Sequence, residues 1–138
     1  PTRSCAGRKA RLTAGRDRLQ NFALGRLITC AYRLALVSTL IALAVLSLLP
    51  ADTIHRSELG GHGEHLIAYA GTAFAFGIGS RQRAWPPLLV ALVTYAALLE
   101  TLQLFVPGRT SQVSDFLHSA AGTFVGLVVA KALQAQLR

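Results

Sequence analysis

Charge is scarce in this sequence. Only 14% of its 138 residues are Asp, Glu, Lys or Arg, where an average soluble domain carries roughly 25%. Acids are scarcer than bases, 6 against 14. With 52% apolar residues and a mean hydropathy of +0.45, a single domain of this size lacks the polar side chains to cover its surface. That excludes most soluble folds. The net charge of +8 invites a nucleic-acid reading, yet the cations form no binding face. Arg3, Arg8, Lys9, Arg11, Arg16, Arg18 and Arg26 supply half of them from the first 26 residues, and no nucleic-acid partner is expected. Cysteine is nearly missing. Cys5 and Cys30 show no metal spacing and read as ordinary small residues on a side where disulfides are disfavoured. Motifs are missing too: no Walker loop, GxGxxG, GxSxG, HExxH or zinc-type cysteine pattern occurs, so no cofactor and no metal is expected.

Four runs almost free of charge are present instead: Leu34 to Ala51, Leu66 to Ser80, Ala84 to Leu99 and Phe116 to Ala130. At about 1.5 Å per residue, the shortest makes about 22 Å of helix against a hydrocarbon core of about 30 Å. Snorkelling Arg81, Arg83 and Lys131 extend the ends, and the third run continues past Glu100 to Phe105. A soluble bundle of helices apolar on every side would leave their outer faces uncovered. The fold expected is therefore all-α: a polytopic, four-transmembrane-helix bundle in a bilayer. Two parts are expected, a basic cytoplasmic segment over residues 1–30 and a membrane domain over 31–138.

Orientation follows from Lys and Arg. Placing the N-terminal segment inside puts 12 cations on the cytoplasmic side and leaves Arg56 and Arg109 outside. The N and C termini are both expected to be cytoplasmic, the first span acting as an uncleaved signal anchor rather than a cleaved signal peptide. For residues 1–30 two readings stand open. Leu12, Leu19, Phe22, Ala23 and Leu27 have rough helical spacing beside the arginines, as in a helix lying on an anionic leaflet. A basic tail that only sets topology fits as well.

Small residues recur every fourth position as Gly71, Ala75, Gly79 and as Gly122, Gly126, Ala130. Such stripes let helix backbones approach closely, either between copies of the chain in a homo-oligomer or within one bundle. Pro86 and Pro87 fit the first turn of the third helix.

The expected topology gathers polar residues at the outer face. Glu64 and His65 open the second helix, Glu100 and Gln103 share a face near the end of the third, Arg109 lies in the following connection, and Asp115 opens the fourth with His118 and Ser119 behind it. His62 reads as an interfacial residue. Asp115 is favoured by the macrodipole at a helix start. A lone carboxylate in an apolar helix is costly, so Glu100 calls for a partner, with Arg109 or His65 the natural candidate. The chemistry follows from residue type. Glu100, Asp115 and His65 are the candidate acid–base groups. Arg109 offers a fork for phosphate or carboxylate, with Gln103, Glu64 and Ser119 as further binding residues.

These residues resemble the VanZ-like family, named for a teicoplanin-resistance protein. The resemblance rests on His65-Leu-Ile-Ala-Tyr69-Ala-Gly71, on Glu100-Thr-Leu-Gln103-Leu-Phe105-Val-Pro107-Gly108-Arg109, and on Asp115 followed by Gly122 and Gly126. It spans roughly residues 61 to 128. Where many members carry Asp-Lys, Gly61 and His62 stand here; where many carry Asn, Ser119 stands. The resemblance implies a small multi-pass protein of a bacterial cytoplasmic membrane, with a link to the cell envelope and to antibiotic resistance, and no agreed reaction. Three functions remain in play: an enzyme acting on an envelope lipid-linked or phosphate- or glycan-bearing molecule, a binding protein for the same ligand without turnover, and a scaffold packing through the glycine stripes.

Overall fold

In a computed structural model, the described residues are 3–50, 60–80, 84–109 and 111–137, with side chains described from Arg18 onward, Leu19 excepted. Four helices occur among them: α1 Arg3–Leu48, α2 Gly60–Ile78, α3 Trp85–Gln103 and α4 Val113–Gln136. The chain divides into two compact units, Pro1–Val37 and Ser38–Arg138. The first is helical over its described residues. α1 runs continuously through residue 30.

Among the described residues, three helical segments are long and apolar enough to cross a membrane: Gln20–Leu48 of α1, α3 and α4. The 19 residues of α2 are not among these segments; its first turns hold the polar His62, Glu64 and His65. α3 begins on Pro86 and Pro87, whose missing N–H groups have no partner to lose in a first turn.

Within the second unit, α2 and α4 run parallel and touch along their backbones. A Cβ at Gly122 would overlap the Leu66 carbonyl, and one at Gly126 the Ala70 carbonyl, while one at Gly77 would crowd the Ala130 side chain at 2.8 Å. Gly122 and Gly126 are thus consumed by packing inside the chain and are not available to a homo-oligomer. On α2 the seam runs through Leu66, Ala70 and Gly77 rather than through Gly71 and Gly79, which are both exposed. The stripe expected on α2 is rotated off the contact face by the shift from positions 71 and 79 to 70 and 77.

Two apolar layers complete the unit. Leu43, Tyr69, Ala96 and Leu99 form one, flanked by Leu48, Tyr95 and Phe116. Ala73, Leu92 and Leu127 form the other, flanked by Leu40, Leu88 and Leu89. The largest fully buried side chains are Gln103, Thr123 and Ser119, whereas Ile67, Val90, Leu98, Phe124 and Val128 face outward. In water this distribution would be backwards, since apolar groups leave it and polar ones stay. In hydrocarbon it is expected: lipid covers the apolar surface and polar groups find partners inside.

Candidate functional site

Because α2 and α4 are parallel, their N-termini meet at one end. Spacing of three residues puts His62 and His65 on one face of α2, and Asp115 and His118 on one face of α4. The seam brings the two faces together. Asp115, in the first turn of α4, accepts a hydrogen bond from His62 Nδ1 at 2.6 Å. His65 Nε2 stands 4.0 Å from the other carboxylate oxygen. The His62 and His118 rings stack with centroids 4.8 Å apart. His62 is half exposed at 51%, while Asp115 keeps only 14% of its side-chain surface and His65 19%, so the cluster opens outward through His62.

The neighbours decide which ring nitrogens carry protons. His118 Nδ1 lies 2.7 Å from the Ser114 carbonyl, which can only accept, so Nδ1 donates. Ser119 donates its hydroxyl to the Asp115 carbonyl at 2.9 Å, leaving its lone pairs to accept from His65 Nδ1 at 3.2 Å. His62 Nδ1 faces a carboxylate oxygen and donates as well. Each of the three imidazoles is therefore held by its Nδ1–H. A neutral ring of this tautomer carries a lone pair on Nε2, and a protonated one carries a second donor there. Such a set can take a proton from one group and give one to another. Among the described residues, no three His, Cys, Asp or Glu side chains converge as a metal-ligand set.

The other candidates serve differently. Glu100, buried on α3, accepts the Gln112 backbone N–H through Oε1 at 2.6 Å. Gln112 is the N-cap of α4 and provides no side-chain cap of its own, so a carboxylate from another helix secures that end. Glu100 pairs directly with neither Arg109 nor His65, the two partners expected for it. Arg109 instead donates from Nε to the Leu49 carbonyl and from Nη2 to the Leu46 carbonyl, both at 2.8 Å. The last carbonyls of a helix have no partner within it and carry partial negative charge, and they capture the guanidinium. Gln103 adds bonds to the Ser47 carbonyl and hydroxyl at 3.0 and 2.6 Å. Glu64 is half-buried on α2 beside His65.

Of the residues singled out from the sequence, Asp115, His65 and Ser119 come together, while Glu100, Gln103 and Arg109 hold backbone. His62 and His118, placed at the same face by the sequence without an acid–base or binding role, join the first group. Their signal was present: two i, i+3 pairs, His62-x-x-His65 and Asp115-x-x-His118, each at a helix start. Also unforeseen is Gln134, whose amide nitrogen reaches the carbonyls of Gly77, Ile78 and Ser80 and closes the other end of α2.

A model of the family described as VanZ/LLP1 matches residues 36–134. No curated protein matches the chain, and no solved structure does.

Proposed function

The chain belongs to the VanZ/LLP1 family, and from that premise we propose that it is a four-span protein of a bacterial cytoplasmic membrane, its termini cytoplasmic, acting at the outer face on an envelope lipid-linked, phosphate- or glycan-bearing molecule. The observation that carries this reading is the group of three Nδ1-anchored imidazoles around Asp115. An Nε2 lone pair withdraws a proton from an attacking water or hydroxyl, and a protonated Nε2 donates to an oxyanion or leaving oxygen. The N-termini of α2 and α4 point their partial positive charge to the same place, which favours an anionic group. The site lies at the end of helices whose outer surfaces are apolar, so the reacting group is one that lipid holds at that depth. α2 supplies the fourth span: its apolar part begins at Leu66, and its polar start, which includes the cluster, stands at the interface.

The competing reading is an accessory or scaffold protein without turnover. With Gly122 and Gly126 inside the seam, its interface would fall to the exposed Gly71 and Gly79. The test is a lipid and glycan profile of the envelope in a deletion strain carrying wild type, Asp115→Asn or Gly71→Leu. An intermediate that accumulates in the deletion and with Asp115→Asn, at normal membrane abundance, is the expected result. A profile restored by Asp115→Asn and disturbed by Gly71→Leu would replace this reading with the scaffold.

A further inference from the structure

The exposed face of α1 in the first unit carries a second feature, independent of the histidine cluster. Arg18, Arg26 and Arg33 recur at intervals of 8 and 7 residues, which at 3.6 residues per turn places them within about 80° of the helix circumference. In the sequence, Arg11 continues the same spacing. On this face an open groove of about 590 Å³ is lined by Asn21, Phe22, Gly25, Arg26, Thr29 and Arg33. Gly25 leaves the space: a Cβ there would meet nothing within 4 Å. Thr29 lies beside it, its hydroxyl donated to the Gly25 carbonyl at 2.8 Å. The Arg26 guanidinium sits 5.9 Å from the centroid of the Phe22 ring, an arrangement of cation and aromatic face that leaves the outer N–H groups free to turn to an anion.

We propose that this groove binds the headgroup of an anionic phospholipid, with Arg26 and Arg33 on its phosphate. Depth selects the occupant. Arg33 directly precedes the uncharged run that starts at Leu34, so when that run enters hydrocarbon, Arg26 to Arg33 cover about 10 Å of helix at headgroup level. Phosphates are the anions concentrated at that level, and juxtamembrane cations are attracted to anionic lipids there. A soluble polyanion such as RNA would be served equally well by the cations nearer the start of the sequence and gains nothing from a groove next to the apolar run.

The test uses the full chain reconstituted in nanodiscs of equal phosphatidylglycerol and phosphatidylcholine, with retained lipid read by native mass spectrometry. Two variants keep the net charge. Gly25→Leu fills the groove, and the exchange Arg26→Leu with Leu24→Arg moves one cation to the opposite face. Wild type is expected to retain phosphatidylglycerol over phosphatidylcholine, and the exchange to reduce that preference about fivefold, the worth of one interfacial arginine. Gly25→Leu is expected to reduce it by steric exclusion alone, with abundance and reporter-fusion topology unchanged in both. Equal retention of the two lipids by wild type, a preference that survives both variants, or displacement of the lipid by added RNA would each overturn the proposal.

Discussion

Two sets of polar side chains lie toward the same end of the four-helix unit and differ in what they bind. The set on α2 and α4, His62, His65, Asp115, His118 and Ser119, is mostly side chain to side chain, with His62 its exposed member. The set on and after α3, Tyr95, Glu100, Gln103 and Arg109, spends its polar atoms largely on backbone: the carbonyls of Leu40, Ser47, Leu46 and Leu49, and the N–H of Gln112. The first set, on the function proposed above, exchanges partners. The second is arranged to keep them, since an orphaned helix-end carbonyl or N–H is costly away from water. Residue type alone does not separate the two, because a carboxylate and an arginine occur where a catalytic reading would want them, yet serve as fasteners.

The comparison breaks most severely at the seam that both sets depend on. Gly126→Leu drives a side chain into the Ala70 carbonyl and the Phe74 backbone, and neither can yield without parting α2 from α4. The expected cost is about 3 kcal/mol, seen as loss of inserted protein from membranes. Gly71→Leu, with nothing within 4 Å of its Cβ, should leave abundance unchanged.

Next comes the paired test of the two carboxylates. Asp115→Asn keeps the volume but removes the charge that holds His62 and faces His65, so function should be lost at near-normal abundance. Glu100→Gln retains an oxygen for the Gln112 N–H but makes the bond neutral, costing about 1 to 2 kcal/mol. Its defect should track abundance, read by quantitative immunoblot beside the phenotype. Normal abundance with lost function in Glu100→Gln would move that residue into the reacting set.

Arg109→Lys has a smaller effect. One ammonium can satisfy one of the two carbonyls now served by Nε and Nη2, so about 1 kcal/mol is lost, measured as a drop in the thermal midpoint of detergent-solubilised protein. Were Arg109 an anion fork, the same change would abolish function without moving that midpoint.

Helix number and the apolar cores of α3 and α4 were legible because they depend on local pattern, although α4 extends beyond the run Phe116 to Ala130, from Val113 to Gln136. The meeting of His65, Asp115 and Ser119 depends instead on the parallel packing of α2 and α4. Partner choice was not legible. Glu100 and Arg109 are nine residues apart and oppositely charged, which makes pairing the natural expectation, but the winning partners are backbone groups, and backbone leaves no mark on residue type. The α2 stripe failed for a related reason. Gly71 and Gly79 are as small as Gly77, and only the rotation of α2 against α4 decides which row makes contact. Residues 1–30 could be read as tail or helix because their arginines suit both; the described helix Arg3–Leu48 includes residues 3–30.

The smallest effect expected is at Tyr95, and it tests whether the fastening set acts through individual bonds or as a unit. The Tyr95 hydroxyl donates to the Leu40 carbonyl at 2.7 Å, two turns before the Ser47, Leu46 and Leu49 carbonyls that Gln103 and Arg109 hold. Leu40 is inside α1, where its carbonyl already has a helical partner, so the tyrosine adds a second bond rather than rescuing an orphan. Between membrane helices one such bond is worth about 0.6 kcal/mol. Tyr95→Phe keeps the ring against Leu43 and its neighbours and removes only the hydroxyl. A shift in thermal midpoint smaller than that of Arg109→Lys is expected, and the double variant should lose the sum of the two, because the sites are separated along α1 and share no acceptor. A double variant that loses clearly more than the sum would mean that α1 detaches cooperatively, with the fasteners near α3 behaving as one latch.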